Sequence, residues 1–316
     1  MRTFLKFLTM KNYIYISILI ILFLFDNKVD GQQLPIFNNP NTAAAIVNPA
    51  LISMNYFKYD NNISTTLSYQ DQWTGIADAP RTLSVGYEQL SEEFNLLFGG
   101  NIIHDQTGPI SFTGVYGKGG YRINLSNNLS LTAALSVGVL QYRIKGNELN
   151  FLEAGDLASE DDMTLMPDFS LGAMLYGKNF YAGISVPQSF GSNLDYSKGE
   201  NDFKISRVQH YYALAGGYLP LFNESWLEVY GWGKYVENVP FHLGVGVRYE
   251  YHENFYVGAS YSTAKAVTFQ TGVIFEVGDA AQKIDLGYAI TNHFQSFGPQ
   301  FGLSHDLRMS FSLASY

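Results

Sequence analysis

Residues 301–314 set the tightest limit on what this chain can become. Phe301, Leu303, Leu307, Met309, Phe311 and Leu313 fall on one parity, with His305 as the one polar residue among them. Gly302, Ser304, Asp306, Arg308, Ser310 and Ser312 fall on the other. Successive side chains of a β-strand point to opposite faces, so this order makes one oily face and one small, hydroxylic and charged face. Wound at 3.6 residues per turn, the same order would drop Asp306 and Arg308 among the leucines. The segment outruns an ordinary strand of about 5 to 6 residues. It is long enough to cross a bilayer at a tilt, which takes roughly 9 to 11.

The two-sided pattern recurs. Phe241, Leu243, Val245, Val247, Tyr249 and Tyr251 alternate with His242, Gly244, Gly246, Arg248, Glu250 and His252, and near the start Ile63, Thr65, Leu67 and Tyr69 alternate with Ser64, Thr66, Ser68 and Gln70. Further segments are 83–87, 94–103, 111–125, 129–144, 165–176, 180–187, 205–219, 226–236, 255–263, 267–277 and 284–293. The expectation is an all-β chain, a transmembrane up-and-down antiparallel β-barrel of about 14 strands, even-numbered as bacterial single-chain barrels are. A lysine or arginine on the lipid face at mid-membrane costs about 2 to 4 kcal/mol, so Arg248, Glu250 and Arg308 are expected to face the lumen. Tyr249, Tyr251, Phe255 and Tyr256, near strand ends, are expected in the interfacial girdles.

Composition agrees with a lipid-facing and a lumen-facing half that cancel. The chain is 47% hydrophobic and 16% aromatic but only 15% charged, against roughly 25% charged in soluble domains. Its mean hydropathy is near zero, and past residue 25 no run approaches the roughly 20 apolar residues of a spanning helix. The soluble alternative with as many strands is a large β-sandwich or propeller. There is no cysteine, which excludes disulfides, thiolate metal sites and cysteine nucleophiles, and the net charge of -9 argues against a nucleic-acid partner.

Three regions follow. Residues 1–31 read as a signal peptide: Arg2, Lys6 and Lys11 precede the apolar run 14–25, and Gly31 suits cleavage. Met10 is an alternative start, and an uncleaved helical anchor is the alternative to cleavage. Residues 32–60 form a lead-in, lumenal or periplasmic, because Pro35, Pro40 and Pro49 remove ladder donors and leave room only for a helical turn at Ala43-Ala44-Ala45. Residues 61–316 form the barrel. Tight polar turns are expected at 126–128, 177–179 and 252–254, and the long links 145–164 and 188–204 are expected on the opposite, extracellular side. The first link carries Glu148, Glu153, Asp156, Glu160, Asp161 and Asp162 in a spacing that matches no calcium loop, so it reads as a solvated acidic loop.

No enzymatic arrangement emerges. Ser304, His305 and Asp306 are consecutive, so in a strand His305 points away from both neighbours and cannot relay between them. His242 and His252 share a parity but stand about 33 Å apart at roughly 3.3 Å per residue, too far for one metal. No cofactor is expected. Near the first hairpin, Trp73 is expected as an interface anchor and Arg81 as the partner of Asp71 or Asp78, with direct contact to a partner protein as the alternative for these residues.

Several short blocks carry a family resemblance. Asn48-Pro49-Ala50, Tyr69-Gln70-Asp71-Gln72-Trp73 and Ala79-Pro80-Arg81-Thr82 resemble the N-terminal signature of the PorP/SprF family of type IX secretion outer-membrane proteins of Bacteroidetes. Pro167-Asp168-Phe169, Gly172 and residues 180–185 resemble its middle, and Gly302-Leu303-Ser304-His305-Asp306-Leu307 is similar to its closing Gly-Ser-His-Glu stretch. Gln70 stands where the family more often has Arg, Asp306 where it has Glu, and Leu303 is inserted. The resemblance implies a non-enzymatic barrel in the outer membrane, in contact with lipid and with type IX secretion components. It further implies service to the secretion and gliding apparatus, or capture of a secreted adhesin or other cargo through its C-terminal domain. A passive porin or small-solute channel is the alternative, and an outer-membrane enzyme a third.

Overall fold

The computed structural model describes residues 44–52, 56, 61–146, 162–187, 193–198, 201–206, 209–237, 239–278, 282–294 and 302–314. The signal peptide, either start, most of the lead-in, Phe301, residues 147–161 of the acidic link and residues 188–192 and 199–200 of the second long link lie outside the described residues.

One helical turn, α1 (Ala44–Val47), precedes the strands. These are β1 (Ile63–Asp71), β2 (Arg81–Ser91), β3 (Leu96–Thr107), β4 (Ile110–Ser126), β5 (Leu129–Ile144), β6 (Asp162–Gly177), β7 (Phe180–Val186), β8 (Asn193–Lys198) and β9 (Asn201–Ser206). They continue as β10 (His210–Pro220), β11 (Trp226–Val236), β12 (Val239–Tyr251), β13 (Phe255–Ser262), β14 (Ala266–Val277), β15 (Gln282–His293) and β16 (Ser304–Leu313). Fourteen of them close into one antiparallel barrel, while β8 and β9 pair only with each other. The seam is β1 against β16, in register from Ile63 opposite Leu313 to Asp71 opposite His305.

Closure gives every strand of the wall two neighbours, the condition for placing backbone N–H and C=O groups in hydrocarbon. Side-chain alternation then sorts chemistry by face. On β16, Ser304, Asp306, Ser310 and Ser312 are buried in the lumen while Leu307 and Met309 are 53% and 47% exposed on the outside. On β12, Arg248 and Glu250 are buried while Val245 is 62% exposed. The outward belt is what a lipid tail would cover.

Three features depart from the expectation. The segment 205–219 is not one strand: Lys204 and Ile205 pair with Asp195 and Leu194 in the β8–β9 hairpin, which satisfies their backbone groups before β10 begins. Tyr256 is not a girdle residue, because its neighbour Phe255 takes the outward position of β13 and leaves Tyr256 buried in the lumen. Trp73 has a left-handed backbone (φ 48), and its ring meets His293 edge-on at 6.0 Å instead of joining the outer aromatic belt.

The start of β1 and the end of β16 lie at one rim, called here the terminal rim, together with the turns at 126–128, 177–179 and 252–254. Both long links leave from the far rim, which also carries tight turns. One joins β3 to β4 through Gly108-Pro109, where Gly108 takes a positive φ (55) that the absence of a Cβ allows. The strand β7 is the shortest of the wall at 7 residues, and meets β6 only over Leu171–Tyr176.

A charge placed on the belt tests this assignment. Val247→Arg should lower stability in lipid vesicles by about 2 to 4 kcal/mol, measured by urea unfolding, if Val247 faces mid-bilayer; an unchanged midpoint would mean that no hydrocarbon covers β12.

Candidate functional site in the barrel lumen

The wall would enclose a bore, but the chain occupies one side of it with its own lead-in. After α1, Asn48-Pro49-Ala50 makes a turn in which the Ala50 N–H donates to Asn48 Oδ1 (3.0 Å) and the Leu51 N–H to the Asn48 carbonyl (3.1 Å). Asn48 Nδ2 donates to the carbonyls of Ala173 on β6 (3.3 Å) and Ile184 on β7 (3.2 Å), so one amide ties the turn to two strands.

A segment outside any sheet must find partners for its backbone or lose free energy. Here wall side chains supply them. Ser185 Oγ donates to the Val47 carbonyl (2.8 Å), Lys118 Nζ to the Leu51 carbonyl (3.3 Å) and Tyr176 Oη to the Ala50 carbonyl (3.3 Å), while the Ile52 N–H donates to Tyr176 Oη (3.0 Å). Gly172 makes room for the turn: a Cβ there would stand 2.1 Å from Asn48 Oδ1 and 2.9 Å from Pro49 Cδ.

Apolar burial adds to this seat. Ala50, Leu51 and Ile52 join a cluster with Leu90, Leu97, Met174, Tyr176, Tyr181, Leu214 and others from the lumenal wall, and Ile46 of α1 packs on a second cluster of Ile103, Phe112, Leu140 and Met166. The bore is therefore greasy on this side, because the lead-in brings its own apolar residues to cover the wall. At the terminal rim Tyr56 continues the path, donating to Glu92 Oε1 (2.6 Å) and accepting from Arg122.

Ion pairs line several parts of the lumen. Lys118 Nζ lies 3.2 Å from Glu88 Oε1, both buried. Across from the lead-in, Arg248 Nε is 2.9 Å from Glu228 Oε2 and Arg248 Nη2 is 4.0 Å from Glu250 Oε2; Tyr181 Oη donates to Glu228 (2.9 Å). Arg308 Nη2 reaches Asp285 Oδ2 at 2.6 Å and Tyr256 Oη at 3.2 Å. In a low-dielectric bore these pairs hold because each cation faces a carboxylate.

The signature residues fall into two places. Asn48 and Pro49 sit against β6 and β7, as above. The others come together where β1, β2 and β16 meet the far rim: Gln70 opposes Thr82 and Asp306, and Asp71 opposes Arg81 and His305. Arg81 Nε lies 3.4 Å from Asp71 Oδ1 in an exposed pair, Gln72 Nε2 donates to Gln70 Oε1 (3.1 Å), and the Gln72 N–H donates to the Pro80 carbonyl (2.9 Å). Thr82 Oγ1 donates to Asp105 (2.5 Å), and the Trp73 N–H donates to Ser304 Oγ (3.2 Å). Tyr69 and His305 face outward, His305 bonded to Tyr288 Oη (2.6 Å). Among the described residues no group of histidines and carboxylates could hold a metal. Residue patterns alone did not single out Lys118, Tyr176 or Ser185, which carry the seat; a buried lysine on a lumenal parity was the only available signal.

Residues 29–311 match the family described as type IX secretion system membrane protein PorP/SprF. The chain belongs to this family. No curated protein matches it. Among solved structures it resembles a Pseudomonas aeruginosa FadL homologue at TM-score 0.50 and 11% identity, over 87% of this chain and 94% of that one. The CymD monoaromatic hydrocarbon channel aligns at TM-score 0.50 and 10% identity over 86% and 98% of the two chains. The TodX deltaS2S3 mutant monoaromatic hydrocarbon channel aligns at 0.50 and 12% over 86% and 94%. At such identities the likeness is one of fold. Family and fold together place this PorP/SprF protein in the outer membrane as a barrel of the type IX secretion system.

Two substitutions test the seat. Gly172→Val should expel the lead-in from an otherwise folded barrel, seen as new protease sensitivity near Pro49 with the heat-modifiable band retained on gels. Lys118→Met should cost about 3 to 5 kcal/mol by stranding Glu88. Adding Glu88→Leu should recover most of that loss, whereas an additive double variant would show that the two charges do not depend on each other.

Proposed function

We propose that this barrel is a non-enzymatic support of the type IX machinery, holding or helping to export a partner protein such as a large adhesin through that partner's C-terminal domain. The observation that carries the reading is the occupied lumen. A segment seated by backbone hydrogen bonds and apolar burial suits a docking platform better than a conduit, and this favours it over a passive porin. The lumenal ion pairs serve to brace the wall, and Ser304, His305 and Asp306, which point to alternate faces, leave no nucleophilic relay.

With the terminal rim toward the periplasm, the far rim faces outward. It carries the signature cluster around Asp71, Arg81 and Trp73 and the departure points of both long links. A β-rich domain would dock there by loop contact or by adding a strand. Motor-linked service at the periplasmic rim is the second form of the same role.

Deleting the gene should abolish surface display of the cognate adhesin, scored by immunolabelling of intact cells, while the adhesin accumulates inside. Normal display and motility would remove the proposal. The purified barrel in planar bilayers should show no large steady conductance; open channels of porin size would favour the solute-channel reading instead.

A further inference from the structure

Lys234 breaks a rule that the paired cations among the described lumenal residues obey. Lys118, Arg122, Arg248, Lys283 and Arg308 each have a carboxylate within 4.0 Å. Lys234 is equally enclosed, at 8% exposure, yet no carboxylate faces it among the described residues. Its lumenal neighbours are set by register: Tyr212 stands opposite on β10, His242 opposite on β12, and Trp232 and Val236 flank it on β11. Its ammonium lies 5.8 Å from the centre of the Tyr212 ring. Such a contact is weak beside the cost of enclosing an unmatched charge. The ring alone does not offset the burial.

The opposing residue has the same shortfall. His242 Nε2 is enclosed with no hydrogen-bond partner. Its ring is held in place by Trp232, edge to face at 4.6 Å, and Gly244 opposite Trp232 leaves space for the indole, where a Cβ would approach it to 2.4 Å. Side chains directly opposite on antiparallel strands start about 4.5 to 5.5 Å apart at Cβ. An ammonium and an imidazole rooted on directly opposed residues, between an indole and a phenol ring, can converge on the two oxygens of one carboxylate. A phosphate, with three strong acceptor oxygens, would be left short of donors here.

We propose that Lys234 and His242 form a binding site for a carboxylate in the far-rim half of the lumen, with Tyr212 and Trp232 as its apolar walls. The ammonium supplies the charge, and the imidazole Nε2–H supplies the second hydrogen bond. The carboxylate belongs either to an acidic residue of a peptide or to a small aromatic acid; both present the same group to the same donors. The site stands apart from the secretion role and would exist whether or not an adhesin docks at the rim.

Calorimetric titration of the full-length protein in lipid nanodiscs tests it with two matched pairs of probes. One pair is phenylacetate and phenylacetamide; the other is acetyl-Gly-Glu-Phe-amide and acetyl-Gly-Gln-Phe-amide. At least one carboxylate should bind saturably, with its neutral counterpart about tenfold weaker or more, as loss of a charge-assisted hydrogen bond implies. The pair that binds identifies the source. Lys234→Met should abolish that preference and Lys234→Arg should retain it, and without probe Lys234→Met should melt no lower than the wild type. If Lys234→Met fails to insert, His242→Phe provides the second variant, with a loss of several-fold. Equal binding of charged and neutral probes, no binding of either pair, or full binding by Lys234→Met would overturn the proposal.

Discussion

Everything in this molecule depends on the demand that no backbone hydrogen-bonding group meet hydrocarbon unpaired. A sheet meets that demand only by closing, and here it closes where β1 lies against β16 along nine opposed residue pairs. Once closed, the wall has an inside, and strand alternation assigns each residue to one side or the other without further instruction. The same backbone rule governs the lead-in, which has no sheet to join. Its carbonyls and N–H groups are taken up by Ser185, Lys118 and Tyr176, so the wall serves the interior segment as a sheet partner would.

The interior is divided by what each part must match. On one side, from β2 round to β11, the wall offers apolar side chains and small residues, and the lead-in covers them. The wall also offers charges, and these cover one another, Lys118 with Glu88 beside the lead-in and Arg248 with Glu228 and Arg308 with Asp285 beyond it. Neither half would be stable bare. Carboxylates and guanidiniums repay their desolvation only as pairs, and leucines in a watery bore would gain nothing from folding inward.

How legible this was from residues alone follows from the range of each interaction. Alternation is local, so the strands of β12 and β16, their inward Arg248, Glu250 and Arg308, and closure of an even number of strands could all be read directly. The errors were local as well. At Trp73 a left-handed backbone reversed the alternation, at Tyr256 two adjacent aromatics could not both face lipid, and at Lys204-Ile205 a short hairpin competed with a longer strand. The seat of the lead-in was not legible. Asn48 meets its acceptors 125 and 136 positions away, and no periodicity marks Gly172 or Ser185 as its hosts. Resemblance pointed to Asn48-Pro49-Ala50 without saying what it touches.

The amide of Asn48 grips β6 and β7 together, at the place where the wall is shortest. It behaves as a rivet through two staves of a cask, set at the stave with least overlap. Occupant and container are thus mechanically one object: a pull on the segment from Asn48 to Ile52 would be transmitted to the staves before it freed the occupant, so traction on that segment would register as a change of shape in the membrane wall.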